Sequence, residues 1–332
     1  MHRILQQSYF SWAPCRSFGS GASVRHENPL GLPRRSSPPP PQIPRRNAPL
    51  QKRSIPHVGK VLAVASGKGG VGKSTIAVNL AFALAMQRLP GSERNPRVGI
   101  LDLDIFGPSI PKLMGLESAD EPRLTEGGAI IPLTNHSLQC MSMGFLLPRP
   151  ADGSSNIDTP VVWRGLMVQK AVQQLLFDVD WRGDDASGPG LDLLVIDMPP
   201  GTGDVPLTLG QLVNVDGAVI VSTPQDVAIS DVRKGVAMFK KINVPITGLV
   251  LNTSHFTCSS CSTPHYIFGS PKSFHETASQ VGANVLGELP LVAGVSEASD
   301  KGVPYMLTGN EANAEWKNSM TKIATQVWQA LT

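Results

Sequence analysis

Residues Val61–Thr75 read VLAVASGKGGVGKST, and the fold follows from this stretch. A β-rich apolar run, Val61–Ala65, leads into Gly67, four residues, then Gly72-Lys73-Ser74, the spacing of a phosphate loop. A helix predicted over Ser74–Gln87 supplies the strand–loop–helix context that the motif requires. The chemistry accounts for the residue types. Gly67, Gly69, Gly70 and Gly72 let backbone N–H groups turn inward around phosphate oxygens, where side chains would block them. The following helix adds its unsatisfied N-terminal donors and the positive end of its dipole. Lys73 is placed to reach the β- and γ-phosphates and the Ser74 hydroxyl to ligate Mg²⁺, while Val71 and Thr75 complete the cradle. ATP with Mg²⁺ is therefore the expected ligand.

Working outward, short β-rich runs alternate with helical patterns after Gly59. Strands are predicted at Val61–Ser66, Arg97–Leu101, Leu138–Met143, Asp192–Asp197, Gly217–Ser222, Ile246–Leu251 and Asn284–Glu288. Helices are predicted at Ser74–Gln87, Gly165–Phe177, Asp204–Val213, Ala228–Lys240, Phe274–Val281 and Ala312–Leu331. The strands are continuous apolar runs rather than alternating ones, which suits burial on both faces and an α/β fold with a doubly wound, mostly parallel sheet. Irregular loops are expected over Glu117–Gly128 and Asp152–Asp158.

In such sheets the active residues gather at the carboxyl ends of strands. Leu193-Leu194-Val195-Ile196 closes on Asp197, which is expected to hold Mg²⁺ through water, and Met198-Pro199-Pro200-Gly201-Thr202-Gly203-Asp204 follows as a loop suited to sensing a γ-phosphate. A second strand end carries Asp102 and Asp104, two positions apart and so able to face one site. Asp102 is expected in the metal's water shell and Asp104 to orient an attacking water. Asn252 closes the strand Gly248–Leu251. Its amide offers both a donor and an acceptor to an adenine edge, and a turn-forming asparagine is the alternative.

Charge is distributed unevenly. Residues 1–55 carry eight Arg and one Lys against Glu27 and sum to +8; the chain's total is +3, which leaves −5 for the rest. A basic nucleic-acid-binding surface on the folded part is thereby disfavoured. The leader is Arg- and Ser-rich and acid-poor, with scattered apolar residues such as Leu5, Phe10 and Trp12, the composition of an organellar transit peptide. A Pro/Arg linker follows, including Ser36-Ser37-Pro38-Pro39-Pro40-Pro41, so residues 1–57 are assigned to leader and linker and 58–332 to one folded domain. No later apolar run approaches bilayer length, and stable membrane insertion is not expected. Apolar residues make up 41% of the chain, enough for a sizeable core.

Four cysteines remain: Cys15 in the leader, Cys140 in a predicted strand as a buried structural thiol, and Cys258-Ser259-Ser260-Cys261. C-x-x-C is a metal half-site, a redox pair or a chance turn, and its position after Asn252 rather than at a helix start disfavours the redox reading. Two thiolates are half of what zinc or an iron–sulfur cluster takes. The other half could come from a second copy across a two-fold axis, or from His255 and His265 within one subunit.

With Lys68 directly after the first glycine, the loop GKGGVGKST resembles the deviant phosphate loop of the MinD/ParA/nitrogenase-iron-protein class of ATPases. That resemblance implies that Lys68 reaches a partner subunit's nucleotide, so that ATP joins two subunits. The phosphate loop, DLDIFGPS, Val162-Trp163-Arg164-Gly165-Leu166-Met167, VIDMPPGTGD, Ser222-Thr223-Pro224-Gln225 and the late C-x-x-C before Ile267-Phe268-Gly269 together resemble the Mrp/ApbC family of iron–sulfur cluster carrier ATPases, over about Val58–Val303. With the leader, the likeness is to the family's mitochondrial, complex I assembly branch. It implies a homodimer in the mitochondrial matrix that bridges a 4Fe–4S cluster on Cys258 and Cys261. The cluster would come from upstream iron–sulfur assembly machinery and pass to apo iron–sulfur proteins, complex I subunits among them, with weak ATP hydrolysis as the switch. Ser259 departs from the family's usual proline, whose loss is expected to loosen the turn.

Three rivals follow from the same residues. A MinD/ParA-type switch without a cluster would want a basic amphipathic tail, whereas Ala312–Thr332 offers only Lys317 and Lys322 as bases. An electron-transfer reductase of the nitrogenase-iron-protein kind would place its ligands far apart in sequence. A zinc-binding scaffold would use the same C-x-x-C.

Overall fold

Strand β1 (Val58–Ser66) lies in the interior of an eight-stranded sheet, and every residue of Val61–Ser66 is buried, as its unbroken apolar run requires. The computed structural model describes residues 51–332 except 87, 89–93, 147–164, 184–186, 259 and 310–313. The other strands are β2 (Val98–Asp102), β3 (Leu133–Asn135), β4 (Leu138–Ser142), β5 (Leu191–Asp197), β6 (Gly217–Ser222), β7 (Ile246–Leu251), β8 (Phe256–Thr257), β9 (Pro264–His265) and β10 (Val285–Glu288). The sheet order is β10-β7-β6-β1-β5-β2-β4-β3, parallel throughout except for the antiparallel β3–β4 edge; β8 and β9 form a separate antiparallel hairpin.

The strand order reverses at β1. The chain first steps from β1 to β2, leaving a gap that β5 later fills, and then continues from β6 outward on the other side. The phosphate loop leaves β1 at this switch point, where doubly wound sheets open a crevice at their carboxyl edge.

The helices are α1 (Lys73–Met86), α2 (Ile110–Leu113), α3 (Gly165–Phe177), α4 (Asp204–Leu212), α5 (Asp226–Lys241), α6 (Lys272–Val281), α7 (Ala293–Asp300) and α8 (Ala314–Leu331). Right-handed crossovers in opposite directions place α1 on one face of the sheet and α3 to α6 on the other. Residues Ile76–Leu84 of α1 are buried all round because α8 packs over it. That second layer presents Trp316, Met320, Ile323, Val327 and Leu331 from one face of α8, with Trp316 set edge-on to Tyr305 at 5.2 Å.

All seven predicted strands and all six predicted helices occur, with ends shifted by a few residues. Strand β1 starts three residues before the predicted Val61, and α5 starts at Asp226 rather than Ala228, since an acid in the first turn suits the helix dipole. Strands β3, β8 and β9 and helices α2 and α7 were not expected. The three strands and α2 are too short to register a period, and α7, SEAS-rich, lacks an apolar face. Among the described residues no helix is long and apolar enough to cross a membrane. Residues 1–50 of the leader and linker, the loop Asp152–Asp158, Val162-Trp163-Arg164 and Ser259 lie outside the described residues. The last residues assigned to the linker belong instead to the folded part: Ile55 is buried in the core and the Arg53 N–H donates to the Leu212 carbonyl at 2.9 Å.

Candidate nucleotide and metal site

The phosphate loop makes a left-handed excursion at Gly70 (φ +79°) and Gly72 (φ +84°), a region side chains disfavour. Gly67 is needed for a different reason: a Cβ there would sit 2.3 Å from the Cβ of Asp231 on α5. The loop is thus clamped from the side by a helix and from behind by Asn252, whose Nδ2 donates to the Val71 carbonyl at 2.9 Å. Asn252 was expected to read a base. One of its two amide N–H donors is thus on the loop backbone, and the second N–H and Oδ1 remain to face a base edge.

Lys73 lies just inside α1 and is buried. Its ammonium donates to Asp197 Oδ1 at 2.5 Å and to the Ser74 hydroxyl at 3.1 Å. Asp197 ends β5 with no exposed surface, and burial pushes its carboxyl upward while Lys73 opposes the shift. Its second oxygen, Oδ2, is buried and has no hydrogen-bond partner. An orphaned carboxylate oxygen beside a serine hydroxyl is a donor set that fits a hydrated Mg²⁺.

Asp102 departs from expectation. It is the register partner of Asp197 across the β2–β5 ladder, yet its oxygens are already occupied. Oδ1 accepts from the Asp104 N–H at 2.9 Å; Oδ2 accepts from the N–H groups of Ser109 (3.1 Å) and Ile110 (3.2 Å) and from the Ser142 hydroxyl (3.1 Å). Asp102 is therefore a loop clamp rather than part of a metal's water shell. Burial and the neighbouring Asp197 push its carboxyl up to about 7. The two-residue spacing misled because β2 ends at Asp102, so Asp104 belongs to the loop and no strand period relates the two. Asp104 is half-buried near Lys73; burial raises its carboxyl, and Lys73 and the backbone of Gly107 and Phe106 oppose the rise.

Lys68 donates to Gln225 Oε1 at 3.1 Å, within the same chain. Gln225, Ser142 and Asp231 were not singled out as site residues; a glutamine ending the Ser-Thr-Pro-Gln turn is the one that carried a signal.

The cysteine pair sits on the β8–β9 hairpin. Cys258 follows β8, its N–H donates to the Thr263 carbonyl at 3.1 Å, and its carbonyl accepts from Ser262 N–H at 2.8 Å, with Ser262 in the left-handed region (φ +54°). This tight turn brings Cys258, Cys261 and His265 together, with their ligating atoms within 4.8 Å of one another. Cys261 and His265 are exposed. Hydrogen bonding from Thr263, above all from its side chain, pulls the Cys261 thiol down to about 7. His255 is not part of the group: its Nδ1 lies 3.0 Å from Ser254 Oγ and its Nε2 3.6 Å from Glu315. Cys140 is buried in β4, and burial pushes its thiol up to about 12, as suits a structural cysteine. Large apolar side chains stand exposed next to these residues: Phe106 beyond Asp104, Val227 in the first turn of α5 beyond Gln225, and Tyr266, Ile267 and Phe268 beyond His265.

Comparison with known proteins places this geometry. A family model described as ParA, NUBPL iron-transfer P-loop NTPase, matches residues 57–328. The chain is 43% identical over 317 residues to the mouse iron-sulfur cluster transfer protein NUBPL, covering 96% of this chain and 90% of that protein. It is 45% identical over 251 residues to an Arabidopsis thaliana iron-sulfur protein required for NADH dehydrogenase, mitochondrial, covering 76% and 72%. Among solved structures, a nucleotide-binding protein from Archaeoglobus fulgidus in complex with ADP superimposes with a TM-score of 0.60 at 33% identity, covering 78% of this chain and 91% of that one.

Proposed function

The chain belongs to the NUBPL iron-transfer P-loop NTPase family, and on that premise we propose that it carries an iron–sulfur cluster as cargo in a cycle switched by ATP. The observation that carries this reading is the hairpin. Two thiols, one of them solvent-facing, lie within 4.8 Å of each other on a hairpin that follows six residues after the strand end steadying the phosphate loop. A cluster presented at the surface can be handed on; one sealed in a core cannot.

In this reading Gly67 to Thr75 cradle ATP, with Lys73 on its terminal phosphates. Ser74 and Asp197 would hold Mg²⁺, which supplies charge neutralisation at the phosphates. Asp104 positions the attacking water, and hydrolysis is slow because its task is to switch states. Two chains associate through the exposed apolar residues Phe106, Val227 and Tyr266–Phe268, with Lys68 leaving Gln225 for the partner's nucleotide. Cys258 and Cys261 of both chains then share a 4Fe–4S cluster. Apo subunits of respiratory complex I are the proposed acceptors, in keeping with the name of the plant relative. Residues 1–50 act as a mitochondrial transit peptide and linker, the chain joining the folded domain by Ile55, and the matrix is the working compartment.

Anaerobic reconstitution of the full chain, with iron and sulfide counted and Mössbauer spectra recorded, tests this. About four irons and four sulfides per dimer are expected, lost in Cys258→Ala and Cys261→Ala. A cluster retained without those cysteines, or none in the unaltered chain, overturns the proposal.

A further inference from the structure

A bridging cluster needs only the two cysteines from each chain, yet each hairpin sets a third ligating group beside them. His265 lies in β9, where the ladder pairs it with Phe256, two residues before Cys258. The hydrogen bonds between Cys258 and Thr263 and between Ser262 and Cys258 fix the turn between them. The imidazole and both thiols already fall within 4.8 Å of one another. A tetrahedral zinc, with Zn–S of about 2.3 Å and Zn–N of about 2.0 Å, separates its ligand atoms by roughly 3.5–3.8 Å, so rotamer adjustments of about 1 Å complete the geometry. No other chain is required.

We infer that Cys258, Cys261 and His265 of a single chain form a three-ligand site for one thiophilic divalent cation, zinc in the first instance, whose fourth position stays open to solvent. Such a site would occupy the thiolates when no cluster is present, and metal and cluster would exclude one another. Each thiol that ligates releases its proton to solvent. His255, the other histidine near the hairpin, is held by Ser254 and faces Glu315, so it supplies no competing ligand. The inference depends on the carrier reading only in using the same two thiolates.

Cobalt reports on it directly. The reduced, metal-free full chain is titrated anaerobically with Co²⁺, following thiolate-to-cobalt charge transfer in the near ultraviolet and the ligand-field bands of tetrahedral cobalt in the visible. One cobalt per chain is expected. His265→Ala should weaken binding at least tenfold and collapse the tetrahedral bands, and His265→Cys should restore them with stronger charge transfer. Cys258→Ser with Cys261→Ser should abolish the charge transfer. Half a cobalt per chain, or a His265→Ala titration indistinguishable from that of the unaltered chain, overturns the inference. Reconstituting iron–sulfur cluster in His265→Ala keeps the two proposals apart. The cluster should still form there, and its absence from the unaltered chain would sink the carrier reading while leaving the cobalt result standing.

Discussion

Asn252 and Cys261 make opposite points about what one side chain can do. Asn252 is expected at the base, one of its two N–H donors is committed to the phosphate loop, and the two roles separate by experiment. If it acts through the loop, Asn252→Ala should weaken ATP and inorganic tripolyphosphate alike, by about fivefold to tenfold, the net worth of one hydrogen bond. A loss confined to ATP in calorimetric titrations would return the side chain to base reading. Cys261 is exposed, and its chemistry is set by Thr263 rather than by depth. A lowered thiol pKa means more thiolate at a given pH. Iodoacetamide alkylation of Cys261 in the metal-free chain should therefore rise through a midpoint near pH 7 and level off above it, where an ordinary thiol would still be climbing toward pH 9. Thr263→Val should move that midpoint upward, as peptide mapping of the alkylated site would record.

The loop between β2 and α2 is the element whose character changed most from sequence to structure. Sequence places Asp102 and Asp104 together as partners in metal and water chemistry. The hydrogen bonds divide them, with Asp102 holding the loop from within and Asp104 carried on it. Asp102→Ala would strip three backbone N–H groups and the Ser142 hydroxyl of their acceptor. A loss of about 3–5 kcal/mol is expected, roughly 10 °C in Tm, together with loss of hydrolysis. Asp104→Ala should instead keep Tm within about 2 °C and lose hydrolysis alone. Equal Tm losses in a thermal melt would deny the division of roles. The same contrast explains which elements were legible. Strands β1, β5, β6 and β7 announced themselves because both faces are buried and their residues could be little but apolar. The β8–β9 hairpin has two residues per strand, and its shape is set by backbone bonds around Cys258 that leave no periodic trace. The C-x-x-C spacing could be seen in sequence; the tight turn that brings His265 to it could not.

At the scale of the whole molecule, the strand order gathers residues far apart in sequence at one carboxyl edge. Lys73 meets Asp197, 124 positions away, because β5 inserts between β1 and β2, and Asn252 meets Val71 across 181 positions. The phosphate-loop motif implied the first meeting, since a strand ending in Asp is its usual complement. The second was invisible, since a turn asparagine carries no mark of what lies behind it. The route taken by β7 also has a consequence for energetics. Its end steadies the phosphate loop through Asn252, and six positions later the chain presents Cys258. Two sites joined by so short and hydrogen-bonded a path share one free-energy surface, and influence along it is mutual by necessity. Whatever factor ATP applies to the grip on a metal or cluster, the metal or cluster applies to the grip on ATP. Wherever that factor differs from one, iron supply and adenylate charge become two readings of a single equilibrium.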